Sequence, residues 1–195
     1  MRKGDYTGTY TGGEFWVEAP VADEVKLADI AHALSLTCRY GGHCLYHYSV
    51  AQHCLNGYAV MKAYGYSDSK VLFYMLMHDA AEAYMCDIPR PIKTFWDAYK
   101  AVEKSIMSVV YQHFQVPEPD YDTTAIVKFI DDVLLTVESR QLMKDTNKWH
   151  LVEVPPTINL SVVDLRELDY RYNEKWFLNI SNHLLNKIHG GGKQW

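Results

Sequence analysis

Cysteine is scarce in this sequence. The 195 residues contain four, Cys38, Cys44, Cys54 and Cys86, and no two of them form a CxxC pair. A small secreted scaffold held together by disulfides would carry a higher density of cysteine. Because these cysteines fall among helical patterns, as buried free thiols do, the sequence predicts a reducing, cytoplasmic location.

Long apolar runs and long basic runs are also missing. No segment reaches the roughly 18 consecutive apolar residues of a membrane-spanning helix, and the N-terminal stretch MRKGDYTGTYTGGEFWVEAP has no apolar signal core. The net charge is -5, so the basic surface typical of nucleic-acid-coating proteins is not indicated. We therefore expect a small-molecule partner, no nucleic acid and no membrane, and local cations for any anionic ligand.

The sequence does contain enough apolar material for one core, since 48% of the residues are hydrophobic and 13% are aromatic. A chain of this length supports one well-buried core better than two, so residues 1–195 are expected to form a single domain. Residues 1–20 alternate around TGG, which predicts a short β-hairpin. Helical periodicity follows, so the predicted fold is an all-α bundle with that hairpin and a flexible tail over 189–195.

Six helices are predicted from apolar spacing and from capping or breaking residues. Ser49 and Gln52 have the S-x-x-Q spacing of a capping box, so one helix should start at Ser49. The prolines of CDIPRP should end another helix, because each lacks a backbone donor and restricts the residue before it. The predicted spans are about 27–39, 49–63, 69–85, 95–114, 124–145 and 165–188.

The third predicted helix carries polar groups where a core helix should be apolar. At about 100° per residue, His78, Asp79 and Glu82 fall within one arc of about 120°. Met75 and Cys86 share that arc, so the three polar groups are expected to point inward. Burying an imidazole beside a carboxylate costs several kcal/mol unless the groups are paired or bind a metal. A lone HD dipeptide is more often a solvated pair, so further ligands must decide.

Two other helices offer inward-facing ligands. His53 shares a stripe with Val50 and Cys54, although such a histidine alone is more often a satisfied core residue. Asp131 is bracketed by apolar positions, whereas Asp132 lies on a polar side and is expected to be solvated. Two imidazoles and two carboxylates suit zinc, cobalt or manganese, with magnesium as an alternative.

The order His53, then His78 and Asp79, then Asp131 resembles the H…HD…D signature of the HD-domain phosphohydrolases. The segments DIAHALSLTCRYGGH, YSVAQHC, HDAAEAYMCDIPRPIK and VKFIDDVLLTVESRQLM look like the compact phage and bacterial branch, which includes 5'-deoxynucleotidases and phage dATP triphosphohydrolases of the DatZ type. The resemblance covers roughly residues 15–145. It implies an HD-domain helical bundle in which these four residues bind the catalytic metal.

The same resemblance implies roles for neighbouring residues. Glu82 takes the place of the family's glutamate that acts on a water, and Asp87 supports it. Arg39 matches the arginine that precedes the first ligand and reaches the phosphate. Tyr40 stands where relatives carry an aromatic against the nucleoside, often Trp, and Gly42 stands where a relative carries something bulkier. These two differences leave the base preference open.

Further charged residues can support phosphate binding. Arg39 can grip phosphate oxygens with its fork of donors, and Lys93 and Lys128 can add point charges. Each cation can also be interpreted as a solvated surface charge, Arg90 more readily than the others. Glu138, seven residues after the last ligand, is a candidate for orienting a ligand or Arg39. The sequence leaves two more roles open, those of His43 and His47.

Two classes of function remain. A metal-dependent nucleotide phosphohydrolase needs the four ligands together with Glu82 and Asp87, and all are present. A binding module that senses a nucleotide without turnover usually lacks one of them, so the enzyme is favoured. Within that class the cations and the phage-like segments favour a dATP triphosphohydrolase over a 5'-deoxynucleotidase. Related proteins imply a homo-oligomer, with the last helix as a candidate interface, and the host cytoplasm is the expected location if the protein is phage-encoded.

Overall fold

The computed structural model describes residues 2, 4–191 and 195. Within them the chain forms a two-stranded antiparallel hairpin followed by a bundle of α-helices, as the sequence predicts. The strands are β1 (Tyr6–Gly8) and β2 (Glu14–Trp16), and the α-helices are α1 (Leu27–Leu36), α2 (Val50–Ala63), α3 (Ser69–Met77), α4 (Glu82–Met85), α5 (Arg90–Lys93), α6 (Asp97–His113), α7 (Tyr121–Leu142) and α8 (Tyr170–His189). In this part of the chain no helix combines the length and apolar character needed to cross a membrane.

The hairpin packs against the short helix α4. Its strands pair in antiparallel register, with Thr7 opposite Phe15. Because successive side chains of a strand point to opposite faces, Phe15 turns inward and is fully buried while its neighbour Glu14 stays exposed. The Phe15 ring stacks on Tyr84 at 3.7 Å between ring centroids. The hairpin therefore supports the helix that begins with Glu82.

Helices α2 and α3 approach closely, which brings the candidate histidines together. The Ser49 hydroxyl caps α2 by accepting from the Gln52 N–H at 3.1 Å, and this confirms the predicted start of the helix. Gly57, one turn after His53, faces Met75 of α3. A Cβ at Gly57 would lie 2.4 Å from the Met75 Cε atom, so the missing side chain is what allows the close contact.

The third predicted helix is interrupted. The sequence predicts one helix over 69–85, whereas α3 and α4 are separated by the turn residues 78–81. The His78 ring donates from Nδ1 to the Met75 carbonyl oxygen at 2.8 Å, and in a continuing α-helix that oxygen would accept from the Asp79 N–H. The unbroken helix predicted over 69–85 is therefore wrong, although His78 and Asp79 still point inward from the turn, as predicted.

Capping residues set the boundaries of two later helices. The Asp120 carboxylate accepts from the Thr123 N–H at 2.8 Å, and α7 begins directly after Asp120. The Asp169 carboxylate accepts from the Arg171 N–H at 2.8 Å, and α8 begins directly after Asp169. Both residues are favoured N-caps. The predicted start near 124 is thus slightly late for α7, and the predicted start near 165 is too early for α8.

The C-terminal tail is described only in part. Helix α8 ends at His189, where Gly190 takes a left-handed conformation with φ of 80°. The Trp195 ring lies 5.0 Å from the His189 ring between centroids. Residues 192–194 lie outside the described residues, so the flexible tail over 189–195 stays a prediction.

Candidate metal centre and active site

Two histidines face each other between α2 and the turn after α3. The Nε2 atoms of His53 and His78 are 3.2 Å apart. His53 is fully buried and donates from Nδ1 to Glu138 Oε1 at 2.7 Å, and His78 donates from Nδ1 to the Met75 carbonyl. Because both partners are acceptors, each neutral ring carries its proton on Nδ1 and presents a lone pair on Nε2. Two facing lone pairs repel unless a proton or a metal ion lies between them.

Two carboxylates surround this pair of histidines. Asp79 Oδ2 lies 3.2 Å from His78 Nε2 and 3.8 Å from His53 Nε2. Asp131 Oδ1, on α7, lies 3.2 Å from His53 Nε2 and 3.9 Å from His78 Nε2. The structure therefore brings together all four residues predicted as metal ligands, and we call this group the His–Asp cluster.

The spacing of the donor atoms in the His–Asp cluster suits one divalent ion. Zinc–nitrogen bonds of about 2.0–2.1 Å at a tetrahedral angle separate two donors by roughly 3.3–3.4 Å, and the distances from a histidine Nε2 atom to another donor of the cluster run from 3.2 to 3.9 Å. The ligand atoms of His53, His78 and Asp79 all lie within 4.8 Å of one another, and Asp131 approaches this group through its contact with His53. Imidazole nitrogens with carboxylate oxygens also form the donor set of a borderline metal. The residues therefore fit zinc, cobalt or manganese.

The charges of the cluster favour a cation at its centre. Burial alone would lower the pKa of His78, but the adjacent Asp79 carboxylate raises that pKa well above its usual value. Burial would raise the pKa of each carboxyl group, yet His78 lowers the pKa of Asp79 and His53 lowers the pKa of Asp131. The site thus stabilises positive charge, and protons compete with a metal ion for the same lone pairs.

A tight turn beside the cluster carries three predicted substrate-binding residues. The sequence predicts that α1 extends to about Arg39, whereas Arg39 to Gly42 form a separate 3-10 turn. Arg39 is 9% exposed, and its Nη1 atom lies 3.5 Å from Asp79 Oδ2. Tyr40 has a φ of 59°, a conformation that is strained for a residue other than glycine. Gly42 is exposed with open space around it, so no side chain there narrows the approach to Arg39.

An aromatic pair lies next to this turn. The Tyr40 ring is 5.5 Å from the Arg39 guanidinium carbon and 6.2 Å from the Trp149 ring, measured to the ring centroids. Trp149 belongs to the loop after α7 and is 39% exposed. Sequence reasoning missed Trp149, because its polar surroundings TNKWH show no periodicity and only the folded loop brings it to Tyr40.

Glu82 is a buried carboxyl group held by a lysine. Its Oε1 accepts from Lys93 Nζ at 2.8 Å, and Lys93 also donates to Glu103 at 3.0 Å. Oε2 is buried and has no hydrogen-bond partner among the described residues. Burial and the nearby Asp79 carboxylate raise the pKa of Glu82 well above its usual value, although Lys93 opposes the rise. Lys93, predicted to bind phosphate, is thus engaged by two carboxylates.

Asp87 lies in the turn between α4 and α5. The turn is shaped by Cys86, which has a φ of 69° and whose carbonyl accepts from the Tyr99 hydroxyl at 2.9 Å. Burial raises the pKa of Asp87, while Arg39 opposes the rise and Asp79 adds to it. Asp87 therefore interacts electrostatically with Arg39 and Asp79, and its supporting role stays a prediction.

Two exposed cations form a rim outside Asp131. Lys128 Nζ donates to Asp131 Oδ2 at 3.1 Å and to Asp132 Oδ1 at 2.8 Å. Arg90 Nη2 lies 2.9 Å from Asp132 Oδ1 and 3.5 Å from Asp131 Oδ2. The Lys128 and Arg90 side chains are 55% and 53% exposed. Asp132 is therefore paired with two cations rather than simply solvated, and Arg90 lies nearer the site than the sequence indicates.

Metal binding should be visible as a rise in thermal stability. An ion at 100 times its dissociation constant stabilises the folded state by about 2.7 kcal/mol, which raises the Tm of a chain of this size by roughly 5–11 °C. Calorimetry of chelator-treated protein, with and without zinc, cobalt or manganese, measures this rise. Asp131→Asn should lose it. An equal rise in that variant would place the ion outside the His–Asp cluster.

Comparison with known proteins identifies a relative that spans most of the chain. No family model matches the sequence. The chain is 35% identical to the uncharacterized protein YfdR of Escherichia coli K12 over 159 residues, which cover 80% of this chain and 84% of YfdR. A match of this identity and coverage is evidence of common descent, and the chain therefore belongs to the same family as YfdR.

Proposed function

We propose that the protein is a metal-dependent phosphohydrolase that acts on nucleotides. One observation carries the proposal: two histidine lone pairs and two carboxylates converge beside the buried guanidinium of Arg39. A cation site next to a fixed guanidinium supplies what hydrolysis of a phosphate ester needs, namely a Lewis acid and a planar donor for the phosphoryl oxygens. The HD signature of the sequence supports the same class.

The metal-binding step is assigned to the His–Asp cluster. His53, His78, Asp79 and Asp131 would hold zinc, cobalt or manganese, with magnesium as an alternative. When bound, such an ion supplies Lewis acidity and lowers the pKa of a water molecule. Arg39, next to Asp79, binds and orients the phosphate to be cleaved.

Proton transfer is assigned to Glu82. Because burial raises the pKa of its carboxyl group above the usual range, Glu82 can pass a proton to the leaving oxygen or accept one from the attacking water. Lys93 fixes Oε1 at 2.8 Å, which leaves Oε2 for the proton transfer. Asp87 supports this group by adding to the negative charge around it.

We propose dATP as the substrate and deoxyadenosine with inorganic triphosphate as the products. In this reaction a water oxygen bonds to the α-phosphorus, the bond to the 5'-oxygen breaks, and that oxygen leaves with a proton. Lys128 and Arg90 are more than half exposed, so they can exchange Asp132 for the distal phosphates at small cost. A 2'-hydroxyl held against the Tyr40 ring would lose water without gaining a partner, which favours deoxyribose.

A 5'-deoxynucleotidase that acts on deoxynucleoside monophosphates is the second candidate. One observation favours it: Lys93 is bound by Glu82 and Glu103, so one cation fewer is free for a three-phosphate tail. In either case we propose a cytoplasmic homo-oligomer, in the host cytoplasm if a phage encodes it. Helix α8 offers an interface, because its Tyr172 and Trp176 side chains are 51% and 45% exposed.

Incubation with a panel of nucleotides tests the substrate. Metal-loaded protein should convert dATP to deoxyadenosine and triphosphate, faster than it converts dAMP or ATP, and phosphorus NMR of the products measures this. The chelator-treated protein is the control. Orthophosphate released faster from dAMP would replace the proposal with the 5'-deoxynucleotidase. Nucleotide binding without any product would instead favour a non-catalytic nucleotide-binding module.

A further inference from the structure

Glu138 is a fully buried carboxylate with four polar neighbours. Its Oε1 accepts from His53 Nδ1 at 2.7 Å and from the Tyr48 hydroxyl at 2.7 Å. Its Oε2 accepts from the Tyr40 hydroxyl at 3.3 Å and lies 3.3 Å from Arg39 Nε. One oxygen therefore contacts a candidate metal ligand, and the other contacts the turn that carries the candidate phosphate-binding arginine.

A carboxylate in such a place is costly unless its surroundings replace the lost water. The effective penalty is several kcal/mol per buried ion, and hydrogen bonds to the charged group are what offset it. Arg39 Nε has no hydrogen-bond partner among the described residues and lies 3.3 Å from Oε2, so this contact is an ion pair. Glu138 therefore holds Arg39 by charge, while Arg39 Nη1 faces Asp79 Oδ2 at 3.5 Å.

Tyr48 also fixes the Oε1 atom of Glu138. Its hydroxyl is buried and accepts from Asn56 Nδ2 at 2.8 Å while donating to Glu138. Asn56 is held in turn, because its Oδ1 accepts from the Asp164 N–H and its Nδ2 donates to the Asp164 carbonyl, both at 2.9 Å. The carboxylate thus has one defined orientation, set by helix α2 and by the segment before α8.

We infer that Glu138 is a positioning residue that fixes the His53 ring and the Arg39 guanidinium relative to each other. The metal ion and the phosphate would then bind at a fixed separation. The inference rests on the proposed function. Oε1 keeps the His53 proton on Nδ1 and thereby aims the Nε2 lone pair into the His–Asp cluster. Oε2 holds the strained turn through the Tyr40 hydroxyl and keeps the Arg39 guanidinium beside Asp79.

The test compares Glu138→Gln with Ser139→Ala. Glutamine keeps the size of the side chain but removes its charge and leaves one acceptor oxygen instead of two. Ser139 is the next residue of α7, equally buried, and its hydroxyl donates only locally, to the Thr136 carbonyl at 3.4 Å. The control therefore reports general damage to the helix.

Cobalt binding to the chelator-treated protein, without substrate, gives the first measurement. The cobalt affinity of Glu138→Gln should fall by about 10- to 100-fold, the usual loss when the hydrogen-bond partner of a ligand is changed. Ser139→Ala should keep the wild-type affinity, and both variants should keep the cobalt absorption spectrum at saturation. Unchanged affinity in Glu138→Gln would overturn the inference.

Turnover of dATP at saturating cobalt gives the second measurement, because excess metal compensates for the defect at His53. A remaining loss of kcat/KM in Glu138→Gln relative to wild type should then report the misplaced arginine. Glu138→Gln should cause no such loss when it is introduced into a protein that already carries Arg39→Ala. An equal loss in the Arg39→Ala background would overturn the part of the inference that concerns Arg39.

Two further outcomes separate this inference from the proposed function. If Glu138→Gln fails to fold, Tyr48→Phe removes one donor to the same carboxylate and should still weaken cobalt binding, and unchanged binding would overturn the inference. Wild-type protein that binds cobalt but hydrolyses no nucleotide would remove the proposed function, while the cobalt affinity of Glu138→Gln would still decide the role of Glu138. Wild-type protein that binds no cobalt overturns both.

Discussion

Asp131→Asn should abolish metal binding and turnover, whereas Asp132→Asn should leave both close to wild type. Asp131 Oδ1 lies 3.2 Å from His53 Nε2, so the amide removes one negative ligand from a site that needs its charge. Asp132 contacts Lys128 and Arg90 through Oδ1 and has no contact with a histidine among the described residues. Both substitutions are isosteric, and their effects differ because only one side chain faces the histidines.

The two variants form a matched pair, since each aspartate contacts the same two cations. Loss of these exposed ion pairs costs about 0–1 kcal/mol at most and is common to both. Titration calorimetry with cobalt or manganese, followed by dATP turnover, measures the difference. Loss of metal in Asp132→Asn with retention in Asp131→Asn would mean that α7 is rotated relative to the orientation described here.

The ligands on long regular helices could be predicted from the sequence. His53 on α2 and Asp131 on α7 both reach the cluster as their apolar spacing predicts, because an uninterrupted helix keeps a fixed angle per residue. The same spacing places Glu138, seven residues after Asp131, on the same side of α7. Its burial beside His53 is thus consistent with the role suggested for it from the sequence.

Residues outside the long helices were less predictable. His78 and Asp79 reach the cluster from a turn that interrupts the helix. In this turn the His78 ring donates a hydrogen bond to the Met75 carbonyl oxygen. The pairing of Lys93 with Glu82 depends on the position of the short helix α5, which the sequence predicts only as a break at prolines. Side chains placed by tertiary contacts between loops leave no periodic signal, and Trp149 is the clearest example.

The N-terminal hairpin also contributes to the site in a way that its sequence does not reveal. Phe15 is fully buried and stacks on Tyr84 at 3.7 Å, and Tyr84 lies on the same short helix as Glu82. A helix of four residues is not stable by itself, so its position depends on such packing. The hairpin therefore helps to keep Glu82 next to the His–Asp cluster.

Glu82→Gln should lower turnover by roughly 10²–10⁴-fold, the usual contribution of a general acid or base, and should leave the metal bound. Glutamine has the same shape as glutamate and can still accept from Lys93, but it cannot gain or lose a proton at the pH of the reaction. Glu82 begins α4, outside the four residues of the His–Asp cluster, so the affinity for cobalt should stay near wild type. The limb of the pH–rate profile that belongs to this carboxyl group should also disappear.

Glu103→Gln is the matched control for Glu82→Gln. Glu103 is the other carboxylate partner of Lys93, with a contact of 3.0 Å compared with 2.8 Å for Glu82. Each variant therefore removes the charge of one ion-pair partner of Lys93. Steady-state kinetics with dATP across pH, together with cobalt titration, separates the two effects. Turnover in Glu103→Gln should remain close to wild type. Similar losses in both variants would make Lys93 the important group, and loss of cobalt binding in Glu82→Gln would make Glu82 a metal ligand instead of the proton-transfer group.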